Sequence, residues 1–149
     1  MLAYVQAFLK QGLTAEKLAL CIALGCAIGI IPMLGTTTVL CALAGWLFSL
    51  NQPAIQSVNY LVYPLQLALL IPWYRLGEHL FGVRTLGPSV SDVKALLAQG
   101  IPRAVSALWS ITIHAVAAWC LAAPGMIALL YVVLRPVFRK LAQKNLIAS

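Results

Sequence analysis

Apolar residues gather into two runs without a single Asp, Glu, Lys or Arg, Leu18–Tyr74 and Ala104–Leu134. Each exceeds the about 20 residues that a helix needs to cross a bilayer. The first run is interrupted: Gly25–Gly35 reads Gly-Cys-Ala-Ile-Gly-Ile-Ile-Pro-Met-Leu-Gly, with Thr36, Thr37 and Thr38 behind it. The arm before the interruption, Leu18–Ile31, would make about 21 Å of helix, short of a hydrocarbon core of about 30 Å. Thr36–Leu50 is equally short. Pro32 has no amide to donate and biases Ile31 away from helix, while Gly35 tolerates positive φ. The pattern predicts helix, break, helix. Two geometries satisfy it: a re-entrant hairpin with its irregular tip shielded from lipid, or two arms lengthened by Thr14, Glu16 and Lys17 that each just span a thin bilayer. Arm length favours the hairpin. Gly25 and Gly29 form a G-x-x-x-G pair, with Cys21 one step back, where another helix can approach closely.

Before this run, Leu2, Val5 and Leu9 share one face of Met1–Gln11, which suits a short interfacial helix within residues 1–17. Thr14 is placed to cap the helix that follows. After it, Ser49-Leu-Asn51-Gln-Pro53 forms a turn, and Pro53–Tyr74 supplies one full crossing with Gln56, Ser57, Asn59, Tyr60, Tyr63, Pro64 and Gln66 along it. Polar side chains at depth are costly unless paired, so these are expected to face the bundle interior. Trp73 and Tyr74 read as the far interface, followed at once by Arg75.

Residues 75–103 are the polar connection, with a turn at Gly87-Pro88 and a short helix through Ala98. The second run, residues 104–134, contains another break signal, Ala122-Ala-Pro124-Gly125. It predicts either a kinked, tilted span or a second hairpin. Tyr4–Leu13 and Asp92–Ile101 share Val, Ala, Leu, Gln and Gly at matching places, each before an apolar run. A chance match and an inverted repeat of the kind found in transporters both account for that. Residues 135–149 form a basic tail.

Composition agrees with the patterning: 62% of the 149 residues are hydrophobic and only 9% are charged, against about 25% charged in soluble domains. The fold class expected is all-α, a single integral membrane helical bundle with broken, re-entrant helices and short interfacial ones. The net charge of +7 comes from cations outside the apolar runs, where headgroups meet them. No basic stripe interleaved with aromatics points to nucleic acid. The four cysteines stand in apolar context without a C-x-x-C pair, so neither disulfide nor metal site is expected. No secretory signal is evident before Lys17. Arg135, Arg139, Lys140 and Lys144, without an acid among them, place the C-terminus on the cytoplasmic side.

The candidate site residues are the break and polar positions at membrane depth: Gly29, Pro32, Gly35, Thr36, Asn51, Asn59, Tyr63, Pro64, Arg75, His114, Pro124 and Gly125. Broken helices expose backbone groups that hold substrates in transporters. His114, alone in its run, reads either as a helix–helix hydrogen bond or as a proton carrier. Glu16, Glu78 and Asp92 all flank the apolar runs, which argues against ion coupling. No catalytic residues, metal ligands or cofactor motif emerge: paired carboxylates are absent, and Glu78-His79 is the one acid/base neighbour pair.

Gly25-x-x-x-Gly29-x-x-Pro32-x-x-Gly35, Leu50-Asn51-x-Pro53, Tyr63-Pro64-Leu65 and Tyr74-Arg75-Leu76-Gly77 together resemble the small bacterial membrane proteins of domain-of-unknown-function family 2062. The resemblance covers about Ala19 to Gly82. That family usually has Asn-Pro where this chain has Tyr63-Pro64, and Asn59 lies one turn earlier. The resemblance implies a protein of the bacterial cytoplasmic (inner) membrane and supplies no activity; some members are joined to glycosyltransferase domains, a link to lipid-linked sugar metabolism. The function expected is an accessory or interaction component of envelope lipid or glycan assembly, with a small transporter or lipid translocator as the alternative. Partners are membrane lipids and a second copy or another membrane protein; no cofactor is expected.

Overall fold

The structure is a computed structural model describing residues 14–82, 98 and 101–147. Among the described residues there are four helices: α1 (Ala15–Gly29), α2 (Thr37–Leu47), α3 (Gln52–Phe81) and α4 (Ile101–Ile147). Local chemistry sets their ends. The Thr14 hydroxyl accepts from Lys17 N at 3.3 Å and caps α1. The expected break separates α1 from α2, and Gly35 holds φ at +84° within it, a conformation that costs a Cβ-bearing residue strain. Asn51 Oδ1 accepts from Ala54 N at 2.9 Å and caps α3, with Pro53 in its first turn, where a missing N–H is harmless.

Contacts define the packing. Gly25 faces Ile55 and Val58 while Gly29 faces Asn59 and Val62, so α1 and α3 run parallel. A Cβ on Gly25 would stand 2.9 Å from Val58, so the G-x-x-x-G face is a close helix contact. Antiparallel to α3, α2 offers backbone carbonyls to its glutamines: Gln52 Nε2 donates to Ala42 O and Gln56 Nε2 to Thr38 O, both at 2.9 Å. Helix α4 returns antiparallel to α1, with Trp119 beside Ala27 and Arg135 beside Glu16. Cys21, Leu24, Ile28, Cys41, Leu50, Ala54 and Ile55 form the core between the hairpin and α3; Leu18, Ala19 and Phe138 join α1 to α4.

The α1–α2 hairpin covers only part of the long helices. Its tip lies level with Gln66, and α3 continues to Phe81, about 22 Å further at about 1.5 Å per residue. Two stretches, Gln52–Phe81 and Trp109–Gln143, are long and apolar enough to cross a membrane. Only 22% and 11% of their most apolar windows are buried, far less than in the core helix of a soluble fold. Leu61, Leu121, Leu129 and Val132 are all more than half exposed.

Two expectations are corrected. The helix expected to stop at Tyr74 runs on through Trp73, Tyr74 and Arg75 to Phe81, where Gly82 takes φ +64° and ends it. Of the two readings of the second apolar run the hairpin is excluded: α4 is helical through Pro124-Gly125 over 47 residues, absorbing that run and most of the basic tail. A proline inside a helix removes one hydrogen bond and can be tolerated at depth when neighbours adjust. The interfacial helix over 1–11, both copies of the suggested repeat except Ala98 and Ile101, and the turn at Gly87 lie outside the described residues.

Candidate functional site

A helix leaves its last carbonyls without intrahelical partners, and in hydrocarbon no water replaces them. In the last turn of α1 and in the break just beyond it, backbone carbonyls are taken up from three directions. Gln66 Nε2 of α3 donates to Ile31 O at 2.8 Å. Trp119 Nε1 of α4 donates to Ala27 O at 2.9 Å. The Thr36 hydroxyl donates to Met33 O at 3.0 Å, and Ile31 N and Met33 N close tight turns onto Ile28 O and Ile31 O. Gln66 is 1% exposed, and the Pro32 side chain is fully buried. Gly29 leaves room for Asn59, whose Oδ1 lies 3.4 Å from the place a Cβ would occupy.

Gln52, Asn59, Gln66 and Trp73 recur every seven residues, so they share one face of α3. The first reaches α2, the second meets Gly29 and the third holds the break. Trp73 stands one step beyond the tip, and its Nε1 is buried without a hydrogen-bond partner, as is Gln56 Oε1. The arrangement is a network of neutral donors and backbone acceptors.

The structure thus gathers Gly29, Pro32, Thr36 and Asn59 around the break, with Gly35 at its exposed rim. The other sequence candidates are elsewhere. Asn51 caps α3 at the opposite end of the hairpin. Tyr63 and Pro64 face outward, Tyr63 47% exposed, and Arg75 is exposed on α3 beyond the tip. His114 Nδ1 donates to Ser110 O of its own helix at 2.7 Å, and its ring packs 5.4 Å from that of Phe81. Gly77 lies so close to the His114 backbone that a Cβ would stand 2.7 Å from it, so His114 marks a tight crossing of α3 and α4. Pro124 and Gly125 are exposed within α4, and no second tip meets the first. Gln66, expected from the sequence to face the bundle interior, does so but did not stand among the site candidates, and Trp119 was missed. The seven-residue spacing of Gln52, Asn59 and Gln66 was a usable signal for the first; a Trp in an apolar run gave none for the second.

The opposite end of the hairpin is ionic. Arg135 Nη2 donates to Glu16 Oε1 at 2.7 Å, and Arg139 donates to the same oxygen. Hydrogen bonds from Arg135, then from Arg139, hold the Glu16 carboxyl below its ordinary value of 4.5. The Arg135 guanidinium also stands 5.9 Å from the centre of the Tyr131 ring. Lys17 Nζ donates to Ser49 O at 3.2 Å, tying α1 to the α2–α3 turn. Among the described residues no three His, Cys, Asp or Glu side chains converge as metal ligands, and Cys21, Cys26, Cys41 and Cys120 are free thiols.

Residues 1–146 match a protein-family model described as "Uncharacterized protein conserved in bacteria (DUF2062)". No curated protein and no solved structure matches the chain.

Proposed function

The chain belongs to the DUF2062 family, and on that premise we propose that it is a multi-pass protein of the bacterial cytoplasmic membrane, an accessory component on which another part of envelope lipid or glycan assembly docks. Helices α3 and α4 are its two crossings, and the α1–α2 hairpin is re-entrant. The depth of the tip supports this: it stops level with Gln66, with about 22 Å of α3 still to run. Lys17, Arg135, Arg139 and Lys140 gather at the open end of the hairpin, and by the positive-inside rule that end faces the cytoplasm.

One observation carries the accessory reading over transport: the carbonyls at the break are occupied by Gln66 and Trp119. A transporter uses unwound backbone to coordinate its cargo, whereas here other helices of the same chain hold it. The reading is tested with the full chain in liposomes. Labelled phospholipid and polyprenyl phosphate are expected to remain in their starting leaflet, while a specific membrane partner co-purifies from native bacterial membranes. Rapid leaflet exchange that depends on the protein would overturn it in favour of translocation.

A further inference from the structure

We infer that the cationic end of α4, Arg139 and Lys140 with the neighbouring Arg135, is a binding site for the headgroup of an anionic phospholipid. Arg135 and Arg139 both engage Glu16 through one carboxylate oxygen. One negative charge thus faces two positive ones, and the exposed Lys17 and Lys140 add to the excess. The arginines remain reachable, their side chains 41% and 53% exposed. Arg135 lies beside the Tyr131 ring, and a guanidinium fork matches the oxygens of a phosphate diester.

The face of α4 below the cations selects a lipid over a free anion. Val132, Pro136 and Arg139 follow one another at helical spacing, as do Val133, Val137 and Lys140. All six are exposed. Each stripe is apolar along the helix and ends in a cation about 10 Å from its first residue, so a phosphate at the cations leaves its acyl chain lying along the valines. The site rests on the membrane-spanning reading above.

The test titrates phosphatidylglycerol and phosphatidylcholine into the detergent-solubilised full chain, with bound lipid counted by native mass spectrometry. Phosphatidylglycerol is expected to bind several-fold more tightly. Arg139→Gln should weaken it about fivefold, the equivalent of about 1 kcal/mol per cation at an anionic lipid surface, with phosphatidylcholine unchanged. Lys140→Gln serves if that variant does not fold. Glu16→Gln should strengthen binding, because it releases both guanidiniums; a purely structural ion cluster gives no gain. Equal affinity for the two lipids, no effect of either cation variant, unchanged or weaker binding by Glu16→Gln, or displacement of the lipid by equimolar inorganic phosphate each overturns the inference. Carbonate extraction separates the two failures: a chain washed from native membranes refutes the membrane reading, whereas one that stays but shows no preference refutes this site alone.

Discussion

Two stretches of the chain carry similar helix-breaking chemistry in apolar surroundings, Pro32-Met-Leu-Gly35 and Pro124-Gly125, and only the first breaks. Pro64, Pro72 and Pro136 also lie inside helices. Proline alone therefore does not end a helix here. Around Pro32 the released carbonyls meet donors from α3 and α4, and Gly35 supplies the positive φ that turns the chain back. Pro124 and Gly125 face outward, and a Cβ on Gly125 would meet nothing within 4 Å. Opening the helix there would leave backbone groups without protein partners, which, on the membrane-spanning reading proposed above, hydrocarbon penalises. The break forms where other helices complete it.

That contrast can be tested by removing its parts. Gln66→Leu takes away the buried donor to Ile31 O and is expected to cost the most, about 2 kcal/mol, read as a lower thermal midpoint in detergent together with new cysteine reactivity at positions engineered in the tip. Trp119→Phe keeps one aromatic ring but loses the pyrrole half of the indole and with it the N–H to Ala27 O; at least about 1 kcal/mol is expected. Pro124→Ala restores an amide in a continuous helix, so stability should hold or rise. A loss comparable to that of Gln66→Leu would show that the two proline stretches are equivalent after all.

The smallest effect concerns the ionic end. With its folded pKa depressed, Glu16 stabilises the α1–α4 contact fully above the unfolded carboxylate value, and that contribution is lost as pH falls through the folded value. Unfolding midpoints should therefore not change through Glu16 between neutrality and about pH 5, and should fall in more acidic solution by less in Glu16→Gln than in the parent chain. Because the pair is solvent-exposed, the difference is small.

Much of the architecture was legible in the chain. The apolar runs announce the helices, Thr14 announces the cap of α1, and Gly25 and Gly29 announce a face on which another helix packs. The core of the site was half legible: Gly29, Pro32, Thr36 and Asn59 could be named, while Tyr63 and Pro64 were placed by motif and face away. Arg75 looked like the end of a crossing because it follows an aromatic pair, yet nothing local to it stops a helix; Gly82 does.

What the sequence determined by itself is what depends on near neighbours: where φ can turn positive, where an amide is missing, how far an apolar stretch reaches. Whether a missing amide becomes a break depends on who accepts the consequence. Ile31 finds its donor 35 residues away and Ala27 finds its own 92 residues away. Those distances are spanned only once α3 and α4 have packed against α1, so the tertiary structure alone decided that Pro32 ends a helix and Pro124 does not.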